Sequence, residues 1–159
     1  MRIWKVHGSL DWFQTTDGKT VGMPVFKLLT EELVPLIVTP GLNKYEKTHS
    51  DPFRTIINGA DDALKNASAF LCIGFGFRDQ HIQPKIIERC KEQNVPIIVL
   101  AKSLTEEAKK FLMKNIENNY MGIEEFGDQS KVYSSDNPNG VEIAKADLWT
   151  LCGFNSLVS

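Results

Sequence analysis

Seven consecutive residues, Ala69-Phe70-Leu71-Cys72-Ile73-Gly74-Phe75, carry no charged or polar side chain. A run this short is not a helix of about a dozen residues; it reads as a buried β-strand. A strand apolar on both faces belongs in the middle of a parallel sheet, with helices covering each side. Val95-Pro96-Ile97-Ile98-Val99-Leu100 is a second run of this kind. Pro35-Leu36-Ile37-Val38-Thr39 is a third, stopped by Pro40-Gly41.

Between these runs the apolar spacing becomes helical. Asp51 is placed as an N-cap with Pro52 at the first helical position. Phe53, Ile56, Ile57, Ala60, Ala63 and Leu64 then form one apolar face. A second helix is expected from about Pro84, carrying Ile86, Ile87 and Cys90. Ser103-Leu104-Thr105-Glu106 has the capping-box pattern and opens a third helix through Ala108, Phe111, Leu112 and Ile116. Strands alternating with such helices imply βαβ units with right-handed crossovers. The expected fold class is α/β, a Rossmann-like parallel sheet flanked by helices.

The two flanks are less regular. Ile3 to Val6 reads as a short strand ending at His7-Gly8-Ser9. An irregular stretch, Leu10 to Leu33, follows; it holds a turn at Thr16-Asp17-Gly18-Lys19 between Trp12-Phe13 and Val25-Phe26. Beyond Met121 the chain is turn-rich at Gly127-Asp128 and at Asp136-Asn137-Pro138-Asn139-Gly140. Lys131-Val132-Tyr133 is read as a short edge strand, and Asp147 to Leu157 as a terminal helix weakened by Gly153.

Composition narrows the class. The 159 residues fit one domain of ordinary size. A net charge of -2 and a pI of about 5.9 give no basic footprint for nucleic acid. No apolar run approaches the roughly 20 residues of a membrane helix, and the first residues lack the apolar core of a signal peptide. Cys72, Cys90 and Cys152 are odd in number and form no Cys-x-x-Cys. That points away from disulfides and structural zinc and toward a cytoplasmic setting, with all three read as small buried hydrophobes.

Ligands of an open parallel sheet bind outside the carboxyl ends of its strands. The loops expected there are His7-Gly8-Ser9, Thr39-Pro40-Gly41 and Gly74-Phe75-Gly76-Phe77-Arg78-Asp79. Gly74 and Gly76 either let a phosphate or ribose approach backbone N–H groups or simply ease a strand-to-helix turn. His7 is either a general base toward a bound hydroxyl or a partly exposed histidine without a role. Asp79 either caps the next helix or binds a ribose hydroxyl. Trp12-Phe13 covers a ring or seals a core edge. His49 lies in a polar loop and His81 beside the glycine loop, with no carboxylates spaced to complete a metal site.

Taken together, Lys5-Val6-His7-Gly8-Ser9-Leu10-Asp11-Trp12 resembles the catalytic-histidine segment of sirtuin-like proteins, in particular the zinc-free bacterial branch of antiphage-defence NAD hydrolases. Leu71-Cys72-Ile73-Gly74-Phe75-Gly76-Phe77-Arg78-Asp79-Gln80-His81-Ile82 resembles that branch's glycine strand-turn. Val95 to Leu100 falls where its next nucleotide-contacting strand would lie, and Asp147-Leu148-Trp149 is similar to its closing helix.

The resemblance implies that His7 is the catalytic histidine, acting on a ribose hydroxyl of NAD while the nicotinamide–ribose bond breaks. It implies nucleotide contacts at Gly8, Ser9, Gly74, Phe75, Gly76, Phe77 and Asp79. NAD is the implied substrate, and no metal is called for. The lack of Cys-x-x-Cys pairs departs from protein-deacylating sirtuins and favours NAD hydrolysis.

In this family a glycine-rich first turn and a catalytic asparagine precede the histidine, whereas six residues precede His7 here. The expectation is therefore the carboxyl-terminal half of one sirtuin-like domain spanning 1–159, inactive alone and incomplete at its amino end. Such a half-domain is expected to meet another protein chain, or itself, through exposed sheet. A non-catalytic nucleotide-binding or assembly module is the competing expectation, and an unrelated α/β nucleotide binder such as a small transferase the third.

Overall fold

The computed structural model describes residues 1–24, 33–38, 50–116, 118–144 and 146–158. The expectations for Val25-Phe26, for the Pro40-Gly41 stop and for His49 lie outside the described residues. The chain divides into two compact units, Met1–Ala63 and Leu64–Ser159.

The first unit contains β1 (Gly8–Gln14), β2 (Thr20–Gly22) and β3 (Val34–Ile37) in an antiparallel sheet of order β2-β1-β3, followed by α1 (Phe53–Lys65), whose last two residues, Leu64 and Lys65, fall in the second unit. The Thr16–Lys19 turn closes the β1–β2 hairpin, with Gly18 at φ +82°. Two expectations are corrected here. Residues 1–7 form no strand; β1 begins at Gly8 and runs on through Gln14 into the stretch read as irregular from Leu10, so His7 precedes a strand instead of ending one.

β3 is not a buried strand of a parallel sheet. It pairs antiparallel with β1, its Val34 is 59% exposed, and its place at the edge among the described strands is what admits Pro35, which has no N–H for a ladder. Leu36, Val38 and Phe53 form a small core, and Trp12 packs against it. Phe13, its neighbour on β1 and so on the opposite face, is buried as well.

The second unit is mixed α/β. Five strands run in the order β4-β5-β6-β7-β8: β4 (Phe70–Ile73), β5 (Ile97–Ala101), β6 (Tyr120–Phe126), β7 (Gln129–Ser134) and β8 (Val141–Ile143). β4, β5 and β6 are mutually parallel, as the two central apolar runs imply, while β7 and β8 add on antiparallel. Between the parallel strands lie α2 (Gln83–Glu92), with Pro84 in its first turn, and α3 (Glu106–Lys110), which continues as a π-helical turn, Phe111–Ile116. α4 (Leu151–Val158) follows the sheet.

Two layers cover the sheet. On one face Phe70, Cys72, Ile97, Val99 and Tyr120 meet Ile86, Cys90, Ala108, Phe111 and Leu112. On the other, Leu100 and Ile123 meet Leu148, with Trp149 and Phe154 packed against them. Ser130 pins this second layer: its buried hydroxyl donates to the Ala146 carbonyl and accepts from the Leu148 N–H.

Several assignments shift. β4 was expected at the centre and is, among the described residues, the edge of the sheet, with Leu71 48% and Ile73 53% exposed. Lys131-Val132-Tyr133 was expected at an edge and lies in β7, paired on both sides. The N-cap of α3 is Thr105, whose hydroxyl accepts the Ala108 N–H at 3.1 Å, and not Ser103. The terminal helix starts at Leu151, and Gly153 is there because a β-carbon would meet the Asp147 carbonyl oxygen at 2.1 Å.

Burial pushes the Cys72 thiol up to about 11 and the Cys90 thiol up to about 12, so both are inert core groups. Cys152, however, is exposed.

Candidate functional site

The predicted residues fall into two groups. His7, Gly8 and Ser9 open β1 in the first unit; Gly74, Phe75, Gly76, Phe77 and Asp79 follow β4 in the second.

In the first group, His7 is half-buried and its carbonyl accepts the Val38 N–H at 2.8 Å. Gly8 sits at φ +82°, and a β-carbon there would lie 2.1 Å from the Leu36 carbonyl oxygen. Only glycine fits where β3 approaches so closely. Ser9 is held in a small polar cluster that sequence reasoning did not find. Lys5 Nζ donates to Ser9 Oγ at 2.7 Å and lies 3.5 Å from Asp11 Oδ1. The Ser9 hydroxyl donates to Asp11 in a short hydrogen bond. That bond is the main reason the Asp11 carboxyl sits below its ordinary value, with Lys5 adding to it. Lys5 Nζ also lies 5.5 Å from the centroid of the Trp12 ring.

In the second group the loop leaves the carboxyl end of β4, where an α/β sheet offers ligand sites. Gly74 takes φ +64° and its N–H closes the ladder on the Leu100 carbonyl at 2.8 Å. Nothing lies within 4 Å of where its β-carbon would be, so the glycine answers to backbone conformation and leaves open space. Phe77 is the unusual residue. It holds φ +55° and is 1% exposed, its ring 4.8 Å from Phe75 and 4.6 Å from Phe111. A bulky side chain in the left-handed region costs on the order of 1–3 kcal/mol, and such residues cluster at ligand clamps and switch regions.

Asp79 closes the turn before α2. Its Oδ1 accepts the His81 and Ile82 N–H groups at 2.9 and 3.0 Å. The loop is tied across to the start of α3. Thr105 Oγ1 donates to the Gly76 carbonyl at 2.8 Å, and Arg78 Nη2 lies 3.2 Å from Glu107 Oε2. The segment before α3 is itself held by the buried Glu124 near the end of β6. This carboxylate accepts the Leu104 N–H at 2.9 Å and the Tyr133 hydroxyl at 2.6 Å, and pairs with Lys109 at 2.9 Å. Burial alone would raise the Glu124 carboxyl, but these donors together outweigh it and hold it below its ordinary value.

Thr105 and Glu124 were not singled out from sequence. The capping-box pattern around Thr105 was the available signal, while the role of Glu124 depends on pairings from distant segments.

Two concavities on this unit, of about 360 and 380 Å³, are lined by Lys65, Lys85 and Arg89 and by Glu106, Lys110 and Lys114, not by the glycine loop. Lys65 and Arg89 lie in the last turns of α1 and α2, where cations complement the carbonyl ends of the helices. Among the described residues, no group of three or more His, Cys, Asp or Glu side chains could hold a metal ion. Nor is any described helix long and apolar enough to cross a membrane. No protein-family model matches the chain, and no curated protein matches it significantly.

Proposed function

We propose that this chain carries the histidine segment and glycine strand-turn of a sirtuin-like domain of the zinc-free type, whose assembled site hydrolyses NAD+ to ADP-ribose and nicotinamide. On this reading β4, β5 and β6 belong to a Rossmann-like sheet, and the nucleotide lies against the loop 74–79. The observation that carries the reading is that loop: a conformation strained at Phe77 and open at Gly74, at the carboxyl end of a parallel strand. A cytoplasmic place and a part in antiphage defence go with the same reading.

His7 would take the proton of a ribose hydroxyl as the bond from C1′ to the nicotinamide nitrogen breaks and the electron pair leaves with nicotinamide. Water then adds to the oxocarbenium-like carbon and loses its proton.

Calorimetric titration of the chain with NAD+ and with ADP-ribose tests the reading. Saturable binding is expected, weakened at least about tenfold by Gly74→Val, because valine is excluded from positive φ. Absence of any heat or chemical-shift change at millimolar nucleotide would sink it. Where an assembly containing this chain releases nicotinamide, His7→Ala is expected to stop release, and a retained rate would remove His7 from the mechanism.

A second reading, a non-catalytic assembly module, is favoured by one observation: the edge strand β4 exposes Leu71 and Ile73.

A further inference from the structure

We propose that Thr105 is a positioning residue for the glycine loop, fixing the backbone at Gly76 in the conformation that meets the nucleotide; this deepens the nucleotide reading and rests on it. The hydroxyl of Thr105 works in two directions. It accepts the Ala108 N–H at 3.1 Å, which caps α3, and it donates its one proton to the Gly76 carbonyl at 2.8 Å. A cap needs only an acceptor. The donor half of the arrangement contributes nothing to the helix; its effect falls on the loop.

Three features make the link specific. A β-carbon on Gly76 would lie 3.4 Å from the Thr105 methyl, so loop and cap are already in close contact. Thr105 follows Leu104, whose N–H is anchored by the buried Glu124, so the donor itself is held in place. The next residue in the loop, Phe77, is the one held at φ +55°. A strained conformation persists only where its surroundings over-determine it. The carbonyl of Gly76 belongs to the same peptide unit as the Phe77 N–H, so fixing that carbonyl fixes the orientation of the peptide that leads into the strain. The Arg78–Glu107 pair lies on the same two segments but is largely exposed, and an exposed pair adds little.

Substitutions separate the two halves of the role. Thr105→Ser keeps acceptor and donor. Thr105→Val keeps the shape and loses both. Thr105→Asp keeps an acceptor that caps as well as threonine does, but has no proton to give at neutral pH. Amide hydrogen exchange over residues 74–78 is the direct readout, with the thermal midpoint followed alongside and NAD+ and ADP-ribose titrated into each protein.

In Thr105→Asp the midpoint is expected to stay near that of the parent chain. Exchange in the loop is expected to rise roughly five- to tenfold, the factor carried by one ordinary hydrogen bond, with a similar loss of nucleotide affinity. Thr105→Ser should restore both. Loop exchange in Thr105→Asp equal to that of the parent overturns the proposal, since Thr105 would then be a helix cap alone. If loop exchange follows the expected pattern but the parent chain binds neither nucleotide, the positioning role stands and the nucleotide reading falls. Should Thr105→Val fail to fold, the Asp and Ser pair still decides.

Discussion

At the scale of single residues, His7-Gly8-Ser9 was selected for its chemistry, and Gly8 turns out to have a packing reason as well. Gly8 and Gly18 share φ +82°, but only Gly8 faces a backbone atom at 2.1 Å; around Gly18 nothing lies within 4 Å. Alanine at Gly18 should therefore cost only the left-handed conformation, about 1–2 kcal/mol. Alanine at Gly8 carries that cost plus displacement of β3, and is expected to destabilise clearly more. Denaturant unfolding followed by the fluorescence of the three tryptophans, Trp4, Trp12 and Trp149, compares the two; equal losses would remove the close approach as the reason for Gly8. Sequence could not distinguish these glycines, because the Leu36 carbonyl that separates them belongs to another strand. Asp79 is legible in part: a carboxylate just ahead of a helix is a local pattern and its bonds are local, but they close the turn before α2, whose cap falls at Ile82. Cys152 was not, since its exposure depends on what the helix packs against.

At the scale of elements, local apolar spacing reveals helices more readily than strand positions. α1 and α2 show themselves through apolar spacing within a dozen residues. Whether a strand is edge or interior is decided by partners far along the chain, so the apolar β4 looked central and Lys131-Val132-Tyr133 looked peripheral. β6 does not stand out in the sequence because Gly122, Glu124 and Glu125 interrupt its apolar pattern. Gly122 gives room to Leu112, and Glu124 is buried only because Leu104, Lys109 and Tyr133 satisfy it.

That network makes a pH prediction. The Glu124 carboxyl is held below the ordinary value of 4.5, so its contribution is fully present above that value and is lost as pH falls through the folded value. Thr105 and Gly76 lie downstream of it. Glu124→Gln should flatten the fall in stability below about pH 4.5 and cost about 1–3 kcal/mol at neutral pH, as buried donors lose their charged acceptor. A parent-like acid profile in the variant would show that the acid sensitivity lies elsewhere. The π-helical turn answers to packing: Phe111, 1% exposed against Phe77, should cost about 3–5 kcal/mol when replaced by alanine, read by thermal unfolding.

At the scale of the whole molecule, the question is what the edge of the second unit does. β4 pairs only with β5 among the described residues, and its sequence, Phe-Leu-Cys-Ile, has no charge or proline to discourage a further strand. One face is secured, since Phe70 and Cys72 are buried in the core; the other presents Leu71 and Ile73, about half exposed. Covering those two side chains supplies only a few kcal/mol at about 25 cal/mol per Å². Losing the freedom of two molecules costs roughly 4–15 kcal/mol. The side chains alone therefore cannot hold a dimer together, and main-chain pairing along four residues must supply the rest.

The expected association is accordingly weak, with a dissociation constant in the high micromolar to millimolar range, about 4–6 kcal/mol. Size-exclusion chromatography with light scattering over a concentration series should show an apparent mass that rises with concentration. Leu71→Lys places a charge on the edge while leaving Phe70 and Cys72 in the core, and should return the chain to a monomer with its thermal midpoint unchanged. A parent chain that stays monomeric at millimolar concentration would exclude the edge as a self-association surface. A rising mass that Leu71→Lys leaves untouched would place the contact elsewhere. Because loop 74–79 begins where β4 ends, association along this edge also predicts that nucleotide affinity changes with protein concentration in the parent and not in Leu71→Lys, by linkage between the two sites.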